Sequence, residues 1–212
     1  MPARSNCSDD DMSTQPKPGI YVPGGLQSAM SEARRRALFL DRDGVINVNH
    51  GYVHTIEQTE WVPGIFELCA TARDAGYALV VVTNQAGIAR GYYSESEFLD
   101  YTRWMHEEFA VRGAVILATI YCPHHPEAGL GALRIECGCR KPASGMFTVA
   151  SDLFNLALGD SMMVGDKESD LLAASGAGVL RGFLVDSSKP EPLARVIEHL
   201  GRAANSTMER GT

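Results

Sequence analysis

The stretch Ala37-Leu38-Phe39-Leu40-Asp41-Arg42-Asp43-Gly44 sends a short apolar run into two carboxylates and a glycine turn. Apolar residues bounded in this way fit a strand buried on both faces, as parallel strands are. In open α/β sheets ligands bind beyond the carboxyl ends of such strands, which is where Asp41 and Asp43 fall. The spacing suits a division of labour in which a metal-bound Asp41 attacks phosphorus and Asp43, one step further out, protonates the departing alkoxide. The plain alternative is an acidic strand-to-loop turn without chemistry. A calcium loop starting at Asp41 is disfavoured, because the EF-hand pattern needs Gly at Ile46 and Glu at Tyr52.

A chain of 212 residues, 45% hydrophobic, is long enough for one full core and short for two. Its formal charge of −7 offers no general attraction to nucleic acid or to an anionic membrane, so a phosphate-seeking site must be locally basic. No apolar run approaches the ~18 residues of a membrane span, and no signal-peptide core opens the chain. The expected compartment is the cytoplasm. Of the five cysteines, Cys122, Cys137 and Cys139 crowd together in a way that suits metal ligation better than a disulfide framework.

Residues 1–33 are rich in Pro, Gly, Ser and Asp and are expected to form a partly flexible arm, with Ile20 to Val22 attached to the domain. Arg34-Arg35-Arg36 reads as a solvated charge cluster. From there to residue 204 the pattern alternates. Pro63-Gly64 opens a helix through Ala75, with Ile65, Leu68, Cys69 and Ala72 on its apolar face. Tyr77–Val82 is a second strand ending in Thr83-Asn84-Gln85, followed by Ala86 to Gly91. Hydroxyl, amides and glycines at that exit suit a phosphoryl cradle. Ser94 and Glu97 form a capping box for a helix whose Phe98, Tyr101, Met105 and Phe109 are core. Strands follow at 115–121, 162–164 and 178–185, with helices at 144–155 and 192–203, and residues 205–212 form a flexible tail. The expected fold is α/β: one domain with a mostly parallel sheet of five to six strands and helices on both faces.

Cys122-Pro-His124 and Cys137-Gly-Cys139 flank a Gly- and Pro-containing loop, and four such ligands fit a closed, tetrahedral structural Zn²⁺ site spanning 122–139. His125 is the competing imidazole. A clamp at Cys139 holds the backbone beside Arg140 and Lys141. Further on, Met162-Met163-Val164 runs into Gly165-Asp166-Lys167-Glu168-Ser169-Asp170. Mg²⁺ takes one or two protein carboxylates with waters and phosphate oxygen. Asp41, Asp166 and the Asp43 carbonyl suit that set, with Asp170 behind them. For Asp170 alone, a helix-start acid favouring the dipole is the plain reading.

Taken in chain order, Asp41-x-Asp43-Gly44, Thr83, Lys141 and Gly165-Asp166-xxx-Asp170 resemble the haloacid dehalogenase (HAD) superfamily of phosphohydrolases, over residues 37 to about 185. The resemblance implies that Asp41 forms an aspartyl phosphate and that Asp43 serves as acid and then as base. It further implies that Thr83 and Lys141 bind phosphoryl oxygens and that Mg²⁺ neutralises them. The Cys-x-His…Cys-x-Cys-Arg-Lys-Pro knuckle looks like the branch of the heptose-bisphosphate and histidinol-phosphate phosphatases. Asp41 to Asn47, Asn49 to Val53, Thr83 to Gly91 and Cys122 to Pro126 are closer to the heptose enzymes. Val45, where many relatives have Thr, is a modest departure. This likeness implies release of the 7-phosphate from D-glycero-D-manno-heptose 1,7-bisphosphate, a step toward lipopolysaccharide heptose.

The spacing between motifs leaves no room for a large cap domain. Substrate selection then rests on loops, with Asn49, His50, Gly51 and Tyr52 on one side, Asn84 and Gln85 at the strand exit, and Arg140 and Lys167 on another. Arg140 and Lys167 suit a second phosphate. For Lys167 a solvated helix-start lysine is the plain alternative. A histidinol-phosphate phosphatase, another small phosphomonoesterase, or a zinc-stabilised phosphate-ester binding module without turnover are the rival readings. The expected partner is a small phosphorylated sugar, with no nucleic acid and no membrane, and a monomer is favoured.

Overall fold

The computed structural model describes residues 16–29 and 31–208. Six strands, β1 (Gly19–Tyr21), β2 (Ala37–Leu40), β3 (Ala78–Asn84), β4 (Ile116–Cys122), β5 (Met162–Gly165) and β6 (Arg181–Leu184), form one sheet in the order β1-β4-β3-β2-β5-β6. All neighbours are parallel except β1, which lies antiparallel on β4 at one edge. Between them come the helical turn α1 (Leu26–Ala29), α2 (Ile65–Asp74), the short α3 (Ala86–Ala89), α4 (Glu95–Val111), α5 (Gly145–Phe154), α6 (Glu168–Gly176) and α7 (Ala194–Met208).

The β2 run explains why both faces are covered. All four of its residues are buried, and their side chains alternate between two cores. Leu38 and Leu40 join Leu79 and Val81 of β3 with Ile65, Leu68 and Cys69 of α2, Met105 and Phe109 of α4, and Leu193, Val196 and Leu200. Ala37 and Phe39 join Val80, Val82, Ala118 and Ile120 with Met146, Phe147, Ala150 and Phe154 of α5 and Ala173 and Ala174 of α6. Cys69 is core, as its place on the apolar helix face implies.

The expected capping box of α4 forms: Ser94 Oγ accepts from Glu97 N at 3.2 Å while Ser94 N donates to Glu97 Oε2 at 2.7 Å. The expected strand at 178–185 is shorter, at Arg181–Leu184. Gly178 turns with φ 94°, and Leu180 is 84% exposed, so the first part of that apolar run is surface turn. Of the arm expected at 1–33, residues 1–15 and 30 lie outside the described residues, whereas Gly19–Tyr21 supplies the sixth strand. Of the tail expected at 205–212, residues 205–208 continue α7 and 209–212 lie outside the described residues. No helix among the described residues is long and apolar enough to cross a membrane.

Candidate active site

The strand order puts β2 between β3 and β5, so three strand exits open side by side. Asp41 follows β2, Thr83 is the last residue but one of β3, and Asp166 follows β5. A cavity of about 370 Å³ sits there, lined by Asp41, Asp43, Thr83, Arg140, Lys141 and Lys167 among others. A larger cleft of about 760 Å³ lies against Arg34 to Arg36 and Arg181, at the amino ends of the parallel strands. The carboxyl-end cavity is the one that gathers most of the predicted residues, and Asp166, outside its lining, joins it beside Asp41.

Lys141 is buried at the centre of the site. Its Nζ lies 2.8 Å from Asp41 Oδ1, 2.6 Å from Asp170 Oδ1 and 2.8 Å from the Val82 carbonyl. All three ammonium protons therefore have acceptors. Burial opposes the charge, but the Asp41 and Asp170 carboxylates outweigh it, so the Lys141 pKa lies above the ordinary lysine value. The phosphoryl contact expected of Lys141 would replace one of these three bonds. Asp170 is fully committed, since its Oδ2 also accepts from Lys167 N at 3.0 Å.

Asp41, Asp166 and Asp170 each bring a carboxylate oxygen within 4.8 Å of the others. Asp166 Oδ1 is buried without a hydrogen-bond partner. Burial and the neighbouring Asp41 carboxylate push the Asp166 carboxyl up to about 6. An orphaned oxygen within a crowd of carboxylates is the arrangement a divalent cation relieves, so these residues fit Mg²⁺. Gly44 allows the approach: with φ 94°, a Cβ there would stand 2.5 Å from Asp166 Oδ2.

Asp43 faces the same space from a fixed position. Arg42 Nη2 reaches both of its oxygens, at 2.9 and 2.8 Å, Asn47 Nδ2 reaches Oδ1 at 3.1 Å, and Gln85 Nε2 reaches Oδ2 at 3.3 Å. Gln85 also donates to Thr83 Oγ1 at 2.8 Å, which leaves the threonine proton free to point outward. Both amides expected to face substrate line the cavity and also make bonds within the protein. Gln85 holds Asp43 and Thr83, and the Asn84 amide pairs reciprocally with the backbone of Lys141 at 3.0 Å in each direction. Gly87, expected in a phosphoryl cradle, lines the cavity from within α3 and packs against Tyr93, whose ring leaves no room for a Cβ.

On the loop side, Asn49, Gly51 and Tyr52 line the cavity, whereas His50 does not. His50 turns to the surface and meets Glu60 at 3.0 Å. Arg140 and Lys167 both line the cavity, and Arg140 Nη1 donates to the His124 carbonyl at 3.2 Å. Three contributors escaped the sequence reading: Arg42, Asn47 and Tyr93, whose hydroxyl donates to Gln85 Oε1 at 2.6 Å. Only the position of Arg42 between two acids hinted at its role.

The knuckle assembles as Cys122, His124, Cys137 and Cys139. Cys139 Sγ lies 3.3 Å from both other sulfurs and 3.4 Å from His124 Nδ1, and Cys122 Sγ lies 3.5 Å from Cys137 Sγ. A tetrahedron with ~2.3 Å zinc–sulfur bonds has edges of about 3.7 Å, so the cluster is close to zinc geometry. His125 is excluded from it: its Nδ1 accepts from the backbone N–H groups of Glu127 and Ala128. The hydrogen bond from Cys139 draws the Cys122 thiol below its ordinary value, while the same contact and burial push Cys139 up, so the cluster shares its protons until a metal displaces them.

Fold and site together define a HAD-class phosphatase. The family model described as HAD-hydrolase-like matches residues 138–203. The D-glycero-β-D-manno-heptose-1,7-bisphosphate 7-phosphatase of Vibrio cholerae is 49% identical over 166 residues, covering 76% of this chain and 89% of that protein. The α-anomer 7-phosphatase of Burkholderia mallei is 53% identical over 152 residues, covering 72% and 80%. Among solved structures, D,D-heptose 1,7-bisphosphate phosphatase from B. bronchiseptica, complexed with magnesium and phosphate, matches with a TM-score of 0.65 at 30% identity, covering 82% of this chain and 99% of that one. A candidate HAD-like phosphatase from Mesorhizobium loti matches with a TM-score of 0.78 at 35% identity, covering 91% and 95%. The chain belongs to the family of the heptose-1,7-bisphosphate 7-phosphatases.

Proposed function

We propose that the protein hydrolyses the 7-phosphate of D-glycero-D-manno-heptose 1,7-bisphosphate in the cytoplasm, releasing heptose 1-phosphate and inorganic phosphate. The observation that carries this reading is the Asp41 carboxylate, held by the buried Lys141 ammonium 2.8 Å away and flanked by Asp43 and Thr83 at the carboxyl end of the central strands. An Asp41 oxygen forms a bond to phosphorus as the ester P–O bond breaks, and the departing sugar oxygen takes a proton from Asp43. Water then attacks the aspartyl phosphate and gives its proton to Asp43, and the P–O bond to Asp41 breaks. Thr83 donates its hydroxyl proton to a phosphoryl oxygen. Asp41, Asp166 and the Asp43 carbonyl would hold Mg²⁺, with Asp170 acting on it through Lys141 and the loop. When bound, the ion neutralises charge on the phosphoryl oxygens.

Arg140 and Lys167, two cations lining one open cavity, receive the phosphate that is not cleaved, while Asn49, Gly51 and Tyr52 meet the sugar. Zn²⁺ in the knuckle orders residues 122–139 and so fixes the chain entering Lys141. A panel of the two heptose 1,7-bisphosphate anomers, fructose 1,6-bisphosphate and histidinol phosphate, compared by kcat/KM with added Mg²⁺, tests the assignment. One of the heptose anomers should dominate; a dominant histidinol phosphate would overturn it. Asp41→Asn should fold and release no phosphate.

A further inference from the structure

Among the described residues Arg42 is the only arginine with no exposed surface. Its Nη2 donates to both oxygens of Asp43 and, at 2.6 Å, to the Val53 carbonyl. The guanidinium carbon lies 5.3 Å from the Tyr101 ring centre and 5.7 Å from that of Phe98. Nε and Nη1 are buried with no hydrogen-bond partner. For stability alone this is a poor design, since an apolar side chain of similar volume would fill the same space without desolvating a charge. The residue therefore has to be explained by what it does to its neighbour.

Arg42 Nη2 lies almost equally far from both Asp43 oxygens and so holds the carboxylate head in place, while Asn47 on Oδ1 and Gln85 on Oδ2 set its rotation. Through Val53 it also ties Asp43 to the segment Asn49–Val53, where Gly51 and Tyr52 line the cavity and Tyr52 meets Tyr92 edge-to-face at 4.6 Å. Acid–base catalysis requires the proton-carrying oxygen to lie within hydrogen-bond reach of the reacting oxygen. In a site with no cap domain to close over it, that aim must be set from below.

We propose that Arg42 is a positioning residue that anchors the acid–base carboxylate Asp43 at its working distance and links it to the substrate-facing loop. The proposal rests on the reading of Asp43 as the acid and base. It separates the two halves of the reaction. An alkoxide cannot leave without the Asp43 proton, but nitrophenolate departs as an anion unaided. Hydrolysis of the aspartyl phosphate needs Asp43 as base whichever ester was used. Loss of Arg42 should therefore slow both halves with a sugar phosphate and only the second half with p-nitrophenyl phosphate.

The test uses the Mg-loaded enzyme as wild type, Arg42→Met, Arg42→Lys and Asp43→Asn, with folding checked by circular dichroism. On heptose 1,7-bisphosphate, Arg42→Met should lower kcat on the order of 10²-fold. KM should stay within about threefold, because the lost contact is not to substrate. On p-nitrophenyl phosphate the same variant should release about one nitrophenolate per enzyme in a fast burst and then turn over slowly. Arg42→Lys, which keeps a donor, should fall between it and wild type. An Arg42→Met kcat within about threefold of wild type, or a burst slowed in parallel with the steady state, would overturn the proposal. Should Arg42→Met fail to fold, Arg42→Lys decides by the same burst: retained with slow turnover supports, unchanged turnover overturns. Wild-type turnover by Asp43→Asn would reject the acid–base reading, and the role of Arg42 with it. An inactive Asp43→Asn beside a fully active Arg42→Met rejects Arg42 alone.

Discussion

Asn84 and Lys141 are joined by a reciprocal pair of hydrogen bonds: Asn84 Nδ2 donates to the Lys141 carbonyl and Lys141 N donates to Asn84 Oδ1, each at 3.0 Å. The amide at the end of β3 thus sets the height at which the lysine side chain enters the site. Asn84→Ala removes both bonds without touching any charge. We expect a loss of kcat on the order of 10²-fold, the scale of a ~1 Å misplacement. The fold should survive a cost of about 1–3 kcal/mol. Steady-state kinetics and a thermal melt check both parts.

Gly165 governs the other side of the same lysine. A Cβ at this buried strand residue would stand 2.4 Å from Asp170 Cβ, and Asp170 holds Lys141 at 2.6 Å. Gly165→Ala should push the start of α6 outward, cost about 1–3 kcal/mol of stability as overpacking does, and reduce turnover at least tenfold. An active Gly165→Ala enzyme with an unchanged melt would show that Asp170 has more freedom than its two partners imply.

The knuckle predicts a metal dependence distinct from that of the carboxylates. Purified protein should carry close to one equivalent of zinc by elemental analysis, and Cys139→Ser should carry little. Because Cys139 lies two residues before Lys141, stripping the zinc should abolish activity that added Mg²⁺ does not restore and zinc does. Full activity of the zinc-free protein would separate the loop from catalysis.

His106 supplies a pH dependence remote from the site. It is 4% exposed, with Nε2 2.8 Å from Thr119 Oγ1, and burial lowers its pKa from 6.5 to about 4. Between those values the unfolded chain binds a proton that the native protein refuses, so stability rises with pH. The contribution is complete above pH 6.5 and is lost progressively as pH falls toward 4. At ~1.4 kcal/mol per pKa unit it amounts to roughly 3 kcal/mol. Denaturant titrations of wild type and His106→Gln at several pH values should show the variant's stability changing less across that window.

The amino-acid sequence by itself determined the α/β class, the first strand run from Ala37 to Leu40, strands at 77–82, 115–121 and 162–164 that the structure has at Ala78–Asn84, Ile116–Cys122 and Met162–Gly165, the α4 capping box, and the residue types at each strand exit. These follow from periodicity, caps and turn residues, which are local. Only the tertiary structure decided which exits meet. It set β2 between β3 and β5, brought Lys141 onto both Asp41 and Asp170, chose His124 over His125, and turned His50 to the surface. It also paired Asn84 with Lys141 and Gln85 with Asp43, and drew Arg42 against the Asp43 carboxylate. The physical reason is that a polar side chain's direction depends on which acceptor or donor packing brings within 3 Å of it. For most of these residues that partner comes from a distant segment of the chain.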